Sequence, residues 1–425
     1  MKKLKNIGKF ILGLLVLFTL ISFGFKTNEH FVGKEYVEYW ESNPNLYESV
    51  NQNESFDFRI FEKSALENDL ILFGEFHGTK ETIKIDFQFI KYLNAKVGMK
   101  THIAEIDFSQ AYFLNEYLKH GDDSIIKYVL NSWIINHGHN NKDYSNKWRK
   151  INKLNKTITD SSLHIKVLGI DKIQDFEITR HHLLNLFKNL NVRHKIPTDE
   201  KEMIQWAKEE LSSIITEIEK DPSNQNWIDD ILFIQKNLVA FNNQSREDFM
   251  FNNFTDLYKR YNLEGQKIYG YFGGAHVLQK EMNNKKDFGN LIVKSDLSLS
   301  EKTYSITTRY VDSYMAAPSK FLPSLMRDDG EHTKMTNTCD NMALLYHYGI
   351  NDLKSVTKEY SNTFFDINAL NSPYKKSLRL INNIGLYSLL SGMKVTDKES
   401  VTTDYVQAIV LIRNSDWAEP LNIAR

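Results

Sequence analysis

Short apolar runs recur along the chain, and between them lie longer segments in which apolar residues return every three or four positions. The runs are rich in Ile, Val, Leu or Tyr and are bounded by polar residues or glycine, which is typical of buried strands. We predict six strands, at Leu70–Phe73, His102–Ile106, Ile165–Ile170, Lys267–Phe272, Tyr304–Thr308 and Gln407–Ile412. Alternation of strands with helix-period segments predicts a parallel sheet with right-handed crossovers.

The helical period is clearest in two segments, Thr79–Lys96 and Lys201–Lys220. Asp199 followed three positions later by Glu202 forms a capping box for the second segment. The chain between the second, third and fourth strands is too long for single helices. Residues 107–160 and 175–262 are therefore predicted to be helical insertions that form a lid.

The predicted fold class is α/β, with a central, mostly parallel sheet, flanking helices and this lid. Residues 56–425 are predicted to form one domain, because low-complexity segments and clean internal repeats are absent. Residues 26–55 are polar with scattered aromatic residues, and we interpret them as a lead-in segment.

The first 25 residues have the composition of an export signal. Lysines at positions 2, 3, 5 and 9 precede an uncharged apolar run over residues 10–25. This run is shorter than the roughly 20 residues of a spanning helix and suits a signal peptide. We expect a cleaved signal peptide or an N-terminal membrane tether. Either would place the body outside the cytoplasm, in the periplasm or on the inner membrane facing outward.

Composition and charge exclude several classes of protein. The hydrophobic share of 41% and the charged share of 25% are those of a folded globular chain. Lys+Arg 53 against Asp+Glu 54 leaves no basic surplus, which argues against a nucleic-acid partner. The single cysteine, Cys339, cannot form an intramolecular disulfide. Motifs of serine hydrolases, nucleotide-binding proteins and zinc peptidases are missing from the sequence.

Acidic residues and histidines follow the predicted strands. Glu75 and His77 follow the first strand, Glu105 lies in the second, Asp171 follows the third and His276 follows the fourth. Each has an ordinary explanation alone, as a strand-end ion pair, a helix cap or a core histidine. Ligands bind beyond the carboxyl ends of parallel strands, so together these residues predict one shared pocket.

The same residues lie in sequence blocks whose order is informative. The blocks are LFGEFHGTKE, IAEIDF with residues 114–122, Trp133 with WRKINKLN, VLGID, REDFMFNN, YFGGAHV and QAIVLIR. In this order they resemble the erythromycin esterase family, which belongs to a wider superfamily with the Tiki proteases and haem-uptake proteins.

The resemblance implies roles for particular residues. His77 matches the family's water-activating histidine, Glu105 its active-site glutamate and His276 the histidine of a late motif. Arg149 and Arg246 match the arginines of two helical motifs. The sequence departs from the family at three points: one residue instead of two separates Glu75 from His77, Glu247 replaces an aspartate, and the late motif reads Gly-Gly-Ala-His.

A hydrolytic mechanism follows from these residues. An ester, with a macrolactone as one candidate, would be attacked by water that His77 deprotonates. The ordinary pKa of histidine, ~6.5, suits this role. Glu75 or Glu105 would orient the histidine, and His276 or Arg246 would stabilise the oxyanion. Substrate-binding residues would be Arg149, Trp133 and Asp171. Aromatic residues of the first insertion would either wall an apolar pocket or belong to the core, namely Tyr112, Phe113, Trp133, Tyr144 and Trp148.

Two alternatives remain open. The first is a metal-dependent hydrolase or peptidase of the Tiki type, with Glu75, His77 and His276 as ligands of a divalent metal. The second is a protein that binds haem or another small molecule. The esterase hypothesis requires no cofactor, and its partner is a small-molecule ester.

Overall fold

An eight-stranded sheet forms the centre of the computed structural model, which describes residues 28–132, 140–391 and 394–421. The described residues also form a three-stranded sheet and a two-stranded sheet. The strands are β1 (Tyr47–Asn51), β2 (Leu70–Glu75), β3 (Thr101–Asp107), β4 (Lys166–Asp171), β5 (Ile268–Gly273), β6 (Thr303–Val311), β7 (Ser313–Pro318), β8 (His332–Asn337), β9 (Asp340–Asn341), β10 (Leu345–His347), β11 (Ser361–Asp366), β12 (Asn383–Ile384) and β13 (Ala408–Arg413). The helices are α1 (28–42), α2 (Lys80–Val97), α3 (Phe108–His120), α4 (Asp123–Ser132), α5 (Lys142–Thr157), α6 (Phe176–Asn189), α7 (Glu200–Glu209), α8 (Leu211–Ile218), α9 (Gln225–Ala240), α10 (Arg246–Arg260), α11 (Phe288–Val293), α12 (Ile350–Ser355) and α13 (Leu386–Ser391).

The order across the sheet is β1-β11-β13-β6-β2-β5-β3-β4. The six strands from β13 to β4 are parallel, and they are the six predicted strands. The mixed, mostly parallel α/β fold is therefore confirmed. Strands β11 and β1 add an antiparallel edge that was not predicted. Their sequences, SNTFFD and YESVN, contain no continuous apolar run.

Both faces of the parallel sheet are covered by side chains. Ile71 and Phe73 pack into one apolar cluster with Phe89 of α2. Leu70 and Leu72 point to the other face and pack with residues of α10 and α11. Burial on both faces explains why these strands read as uninterrupted apolar runs.

The helices follow the predicted pattern with one break. Helix α2 covers the first predicted segment and ends at Gly98, whose φ of 66° closes the helix in the left-handed conformation. The second predicted segment forms two helices, α7 and α8, which are separated at Glu210. Asp199 caps α7 by accepting from the amides of Lys201 and Glu202. The insertions contain α3–α5 and α6–α10.

The predicted lead-in segment contributes to the core. It contains α1 and β1, and Trp40 is fully buried against Phe365 and Tyr374. Residues 10–25 lie outside the described part of the chain, so the predicted tether stays a prediction. Among the described residues, none of the helices combines the length and apolar character needed to cross a membrane.

A second unpredicted region follows β6. Strands β7 and β8 form a hairpin, and β12, β10 and β9 form a small three-stranded sheet beside α13. These strands are two to six residues long, so they carry little periodic signal. Two of them, β10 and β12, border the candidate site.

A buried ion pair connects the helices to the sheet beneath that site. Nζ of Lys147 in α5 lies 2.7 Å from Oδ2 of Asp86 in α2, and both side chains are almost completely buried. The hydroxyl of Tyr269 in β5 donates to the other oxygen of Asp86 at 2.9 Å. The Lys147 ammonium also lies over the rings of Trp148 and Tyr271.

We expect Lys147→Met to lower the free energy of unfolding by about 3–5 kcal/mol, because it leaves the Asp86 carboxylate buried without its cation. Urea denaturation followed by circular dichroism measures the change. Lys153→Met, at an exposed position of the same helix, is the matched control and should change stability little. Equal stability of the two variants would contradict the prediction.

Candidate active site

A glutamate–histidine pair lies at the carboxyl end of β2. Oε1 of Glu75 lies 2.8 Å from Nδ1 of His77, and the hydroxyl of Tyr271 donates to its other oxygen. The Glu75 side chain is buried, whereas 25% of the His77 side chain is exposed. This contact fixes the orientation of the imidazole, as a buried carboxylate does in other hydrolases.

Glu105 of β3 connects the remaining groups. Its Oε2 accepts the amide of Gly273 at 2.6 Å, and its Oε1 accepts from Nη2 of Arg246 at 2.7 Å. Nε2 of His77 lies 3.7 Å from Oε2, and Nε2 of His276 lies 3.6 Å from Oε1. The structure thus brings Glu75, His77, Glu105 and His276 into one cluster with Arg246.

The approach of β5 to this cluster requires glycine. A Cβ on Gly273 would lie 3.1 Å from Nε2 of His77 and 3.4 Å from Oε2 of Glu105. The absence of a side chain lets the backbone amide reach the carboxylate directly.

Arg246 is positioned by the start of α10. Ser245 caps the helix, and Nε of Arg246 donates to Oδ1 of Asp171 at 2.9 Å. Nη2 donates to both Asp171 and Glu105, while Nη1 has no hydrogen-bond partner among the described residues. Asp171, which was predicted to bind substrate, is buried and orients Arg246 instead.

His276 lies on the far side of Glu105 and has its own acidic partners. Its Nδ1 lies 2.9 Å from Oε2 of Glu247, which also accepts the amide of Phe288 at 3.0 Å. Asp287 completes a buried group in which one ligand atom from each of Glu247, His276 and Asp287 lies within 4.8 Å of the others. Burial, with the nearby Glu247 carboxylate, raises the pKa of Asp287 to about 6.

The charges around the histidines raise their pKa values. Burial by itself would lower the pKa of His77, but the Glu105 and Glu75 carboxylates outweigh burial and the repulsion from Arg246, and raise it to about 8. The pKa of His276 is also raised, because Glu105 and Glu247 outweigh its burial. His77 therefore titrates above the value near 6.5 expected from sequence.

A cavity of about 260 Å³ opens beside the pair. Its walls come from the ends of β2, β5 and β6 and from residues 339–387. They include Glu75, Phe76, His77, Gly273, Gly274, Ala275, His276, Thr307, Thr308, Arg309, Tyr310, Cys339, Leu345, His347, Ile381, Asn383 and Tyr387. Within the described ranges, the helical insertions contribute Arg246 to the cluster and no wall of this cavity, and the small sheet borders the site.

The interpretation that the aromatic residues of the first insertion wall a pocket is wrong where the structure describes them. Tyr144 and Trp148 are fully buried in the core. Tyr112 stacks on His182, and Phe113 packs edge-on against Tyr128. Helical periodicity cannot separate a core aromatic residue from one that lines a pocket, because both lie on the inner face.

The remaining predicted substrate-binding residues do not join the cluster. Arg149 pairs with Asp123 at 3.0 Å and lines a different cavity, between α2 and α5. Its side chain points from the face of α5 that lies toward solvent, which the sequence pattern did not reveal. Trp133 lies outside the described residues.

Other residues of the cavity were not predicted. Arg309 lies within β6, just after the predicted strand. The Tyr310 hydroxyl lies 2.8 Å from the Thr308 hydroxyl and accepts a hydrogen bond from the amide of Phe76 at 2.9 Å. An arginine inside an apolar central strand was the available signal. Tyr271 and Glu247 gave no comparable signal, because each fits a core or surface position equally well.

No protein-family model and no curated protein sequence matches this chain. Solved structures do match its fold. A Bacillus cereus protein superposes with a TM-score of 0.63 at 12% identity, covering 92% of this chain and 99% of its own. A protein described as a succinoglycan biosynthesis protein gives 0.62 at 14% identity, covering 91% and 98%. The erythromycin esterase EreC, in an open conformation, gives 0.58 at 13% identity, covering 89% and 100%.

These structures show that the chain has the fold of erythromycin esterase. The resemblance inferred from the sequence blocks is confirmed at that level. At such identities the comparison carries no information about substrate, because one fold supports many activities.

We expect the His77 imidazole to titrate with a pKa of about 8. Glu105→Gln should lower this pKa, because it removes the carboxylate charge that contributes most to the increase. NMR titration of histidine ring protons measures both values, with His77→Asn used to assign the signal. Glu116→Gln, on the exposed face of α3, should leave the pKa unchanged. A His77 pKa below 6.5 in the wild type would contradict the structure.

Proposed function

We propose that this protein hydrolyses an ester bond by direct attack of water. The observation that carries the proposal is the 2.8 Å contact between Glu75 and His77 at the edge of a cavity that also contains His276. A histidine oriented by a buried carboxylate is suited to general-base catalysis. The fold shared with erythromycin esterase supports the proposal, although it does not assign the activity.

In the proposed mechanism, neutral His77 takes a proton from water as the water attacks the ester carbonyl carbon. Glu75 accepts a hydrogen bond from the Nδ1–H of His77, holds the ring in one tautomer and stabilises the imidazolium that forms. The same carboxylate is held in place by Tyr271, whose hydroxyl is buried beneath it. His77 would return the proton to the alcohol that leaves.

Negative charge that develops on the carbonyl oxygen needs donors near the cluster. His276 is held by Glu247 through Nδ1, and the Glu105 and Glu247 carboxylates raise its pKa, which favours the protonated ring that donates from Nε2. Arg246 can donate through Nη1, since its other nitrogens are engaged by Asp171 and Glu105. Groups already held in place stabilise a transition state without reorganising.

Metal-dependent hydrolysis is a second candidate, and a specific observation favours it. Glu247, His276 and Asp287 place one nitrogen and two oxygen atoms close together in a buried position. Oδ1 of Asp287 accepts no hydrogen bond from the described residues, although Nζ of the exposed Lys285 lies 3.6 Å away. This donor set fits a divalent cation. It differs from the predicted set of Glu75, His77 and His276, because Glu75 and His77 bond to each other.

Export and the ester's identity are further parts of the proposal. The basic and apolar N-terminal segment supports an exported protein, and a small-molecule ester is the proposed substrate.

We expect His77→Asn to lower kcat/KM by about 10²–10⁴-fold, the usual contribution of a positioned general base. The reason is that the amide keeps a polar group in place but cannot accept the proton. Hydrolysis of chromogenic acetate esters measures the loss, and His120→Asn, at an exposed position of α3, is the matched control.

In the wild type, kcat/KM should rise with pH through a midpoint near 8, because only neutral imidazole accepts a proton. A folded His77→Asn protein with near wild-type turnover would exclude this role.

Treatment with a chelator separates the two candidate mechanisms. We expect kcat/KM to survive dialysis against EDTA, and elemental analysis of the untreated protein to show less than stoichiometric divalent metal. If dialysis abolished activity and added metal restored it, the metal-dependent mechanism would replace the general-base mechanism. Asp287→Asn would then weaken metal binding, whereas Asp296→Asn, outside the group, would not.

A further inference from the structure

Arg309 is a buried cation in the wall of the active-site cavity, and its side-chain contacts are all to neutral groups. Nε and Nη2 donate to the carbonyl of Leu380 at 3.2 and 2.6 Å. Nη1 donates to the Thr307 hydroxyl at 3.1 Å and to the Thr308 carbonyl at 2.8 Å. Among the described residues, no carboxylate lies within ion-pair distance of this guanidinium. Only 8% of Arg309 is exposed.

A buried charge without a counter-ion is unfavourable. Of the two other buried arginines among the described residues, Arg379 contacts Glu29 and Asp352, whereas Arg413 also donates only to neutral groups, the carbonyl and hydroxyl of Thr357. Arg309 differs from Arg413 in that it borders the active-site cavity. Burial lowers the pKa of Arg309, yet a guanidinium stays charged in proteins. An anion that entered the cavity would therefore meet a charge already desolvated and already oriented.

The surroundings of Arg309 point to a site that is held ready for a ligand. Leu380, whose carbonyl accepts from two guanidinium nitrogens, has a φ of 74°, a conformation that is strained for a leucine. His347, which borders the same cavity and is 8% exposed, has an Nδ1 without a hydrogen-bond partner among the described residues. Unsatisfied buried polar groups are rare and often mark functional positions.

We propose that Arg309 binds an anionic group of the substrate, so that the ester cleaved here carries a carboxylate or a similar anion. The inference rests on the proposed function for the reaction, and on the geometry of Arg309 for the charge. Nη2 has one N–H beyond the bond to Leu380, and a charge-assisted bond to it would be stronger than a neutral one. Thr307 and the Leu380 carbonyl hold the guanidinium in position.

The cavity is small and open to solvent. Its volume of about 260 Å³ lies just below the ~300–1,000 Å³ range of ligand pockets. A small anionic ester fits this space and this charge. A basic amine placed beside Arg309 would be repelled by its positive charge.

Binding to a catalytically impaired protein tests this inference separately from the reaction. Isothermal titration of His77→Asn would compare para- and meta-acetoxybenzoate with their uncharged methyl esters. We expect at least one anion to bind about 10–100-fold more tightly than its methyl ester, the range of a hydrogen bond to a charged group. The same comparison with His77→Asn/Arg309→Gln should show no difference within each pair. The matched control is His77→Asn/Arg59→Gln, which removes an equal charge at an exposed position. This control should retain the preference for the anion.

Several outcomes would overturn the inference. One is equal binding of each anion and its methyl ester by His77→Asn, which does not depend on the folding of any Arg309 variant. Another is a preference that survives Arg309→Gln. Equal weakening of both ligands in that variant would assign Arg309 a structural role at Leu380. Arg309→Lys, which keeps the charge, should retain part of the preference.

The result remains distinct from the test of the reaction. Anion-selective binding that depends on Arg309, without hydrolysis by the wild type, would support the anion site and exclude the proposed ester hydrolysis. Hydrolysis of both members of each pair with equal kcat/KM, unchanged by Arg309→Gln, would support the reaction and exclude the anion site.

Discussion

The candidate site depends on the buried charge of Glu105. A carboxylate that is 3% exposed is strongly destabilised unless cations and hydrogen-bond donors surround it. Here the amide of Gly273 and the guanidinium of Arg246 donate hydrogen bonds to it, and the imidazoles of His77 and His276 lie 3.7 and 3.6 Å away. Satisfying this one charge brings β2, β3, β5 and α10 to the same point.

The same constraint separates the roles of the two histidines. Each is close to Glu105 through Nε2 and contacts a carboxylate of its own through Nδ1. Glu75, the partner of His77, lies at the cavity and is held by Tyr271, whereas Glu247, the partner of His276, lies deeper beside Asp287. Both histidines therefore lie between two carboxylates, yet His77 is the proposed base and His276 the proposed cation. The acidic group behind His276 is also where a metal would bind.

The fold and the specificity of the site have different origins in the chain. The parallel sheet carries the glutamates and histidines, and the fold is shared with erythromycin esterase. Residues 339–387 form much of the cavity wall and set its small volume, while Arg309 supplies its charge. Function depends on such local features more than on the fold. The charge of the wall and the chemistry of the reaction can therefore be tested independently.

The sequence by itself determined the six parallel strands and the grouping of Glu75, His77, Glu105 and His276. Apolar runs reveal strands that are buried on both faces, and parallel strands align their carboxyl ends at one edge of the sheet. Only the tertiary structure decided that Asp171 orients Arg246, that Arg149 pairs with Asp123 and that Tyr144 and Trp148 belong to the core. It also decided that β1 and β11 add an antiparallel edge and that β9, β10 and β12 form a small sheet. Arg309 likewise lacks a carboxylate partner among the described residues only because of how these segments pack. These features depend on contacts between distant segments, and the periodicity of one segment does not encode which partner it will meet.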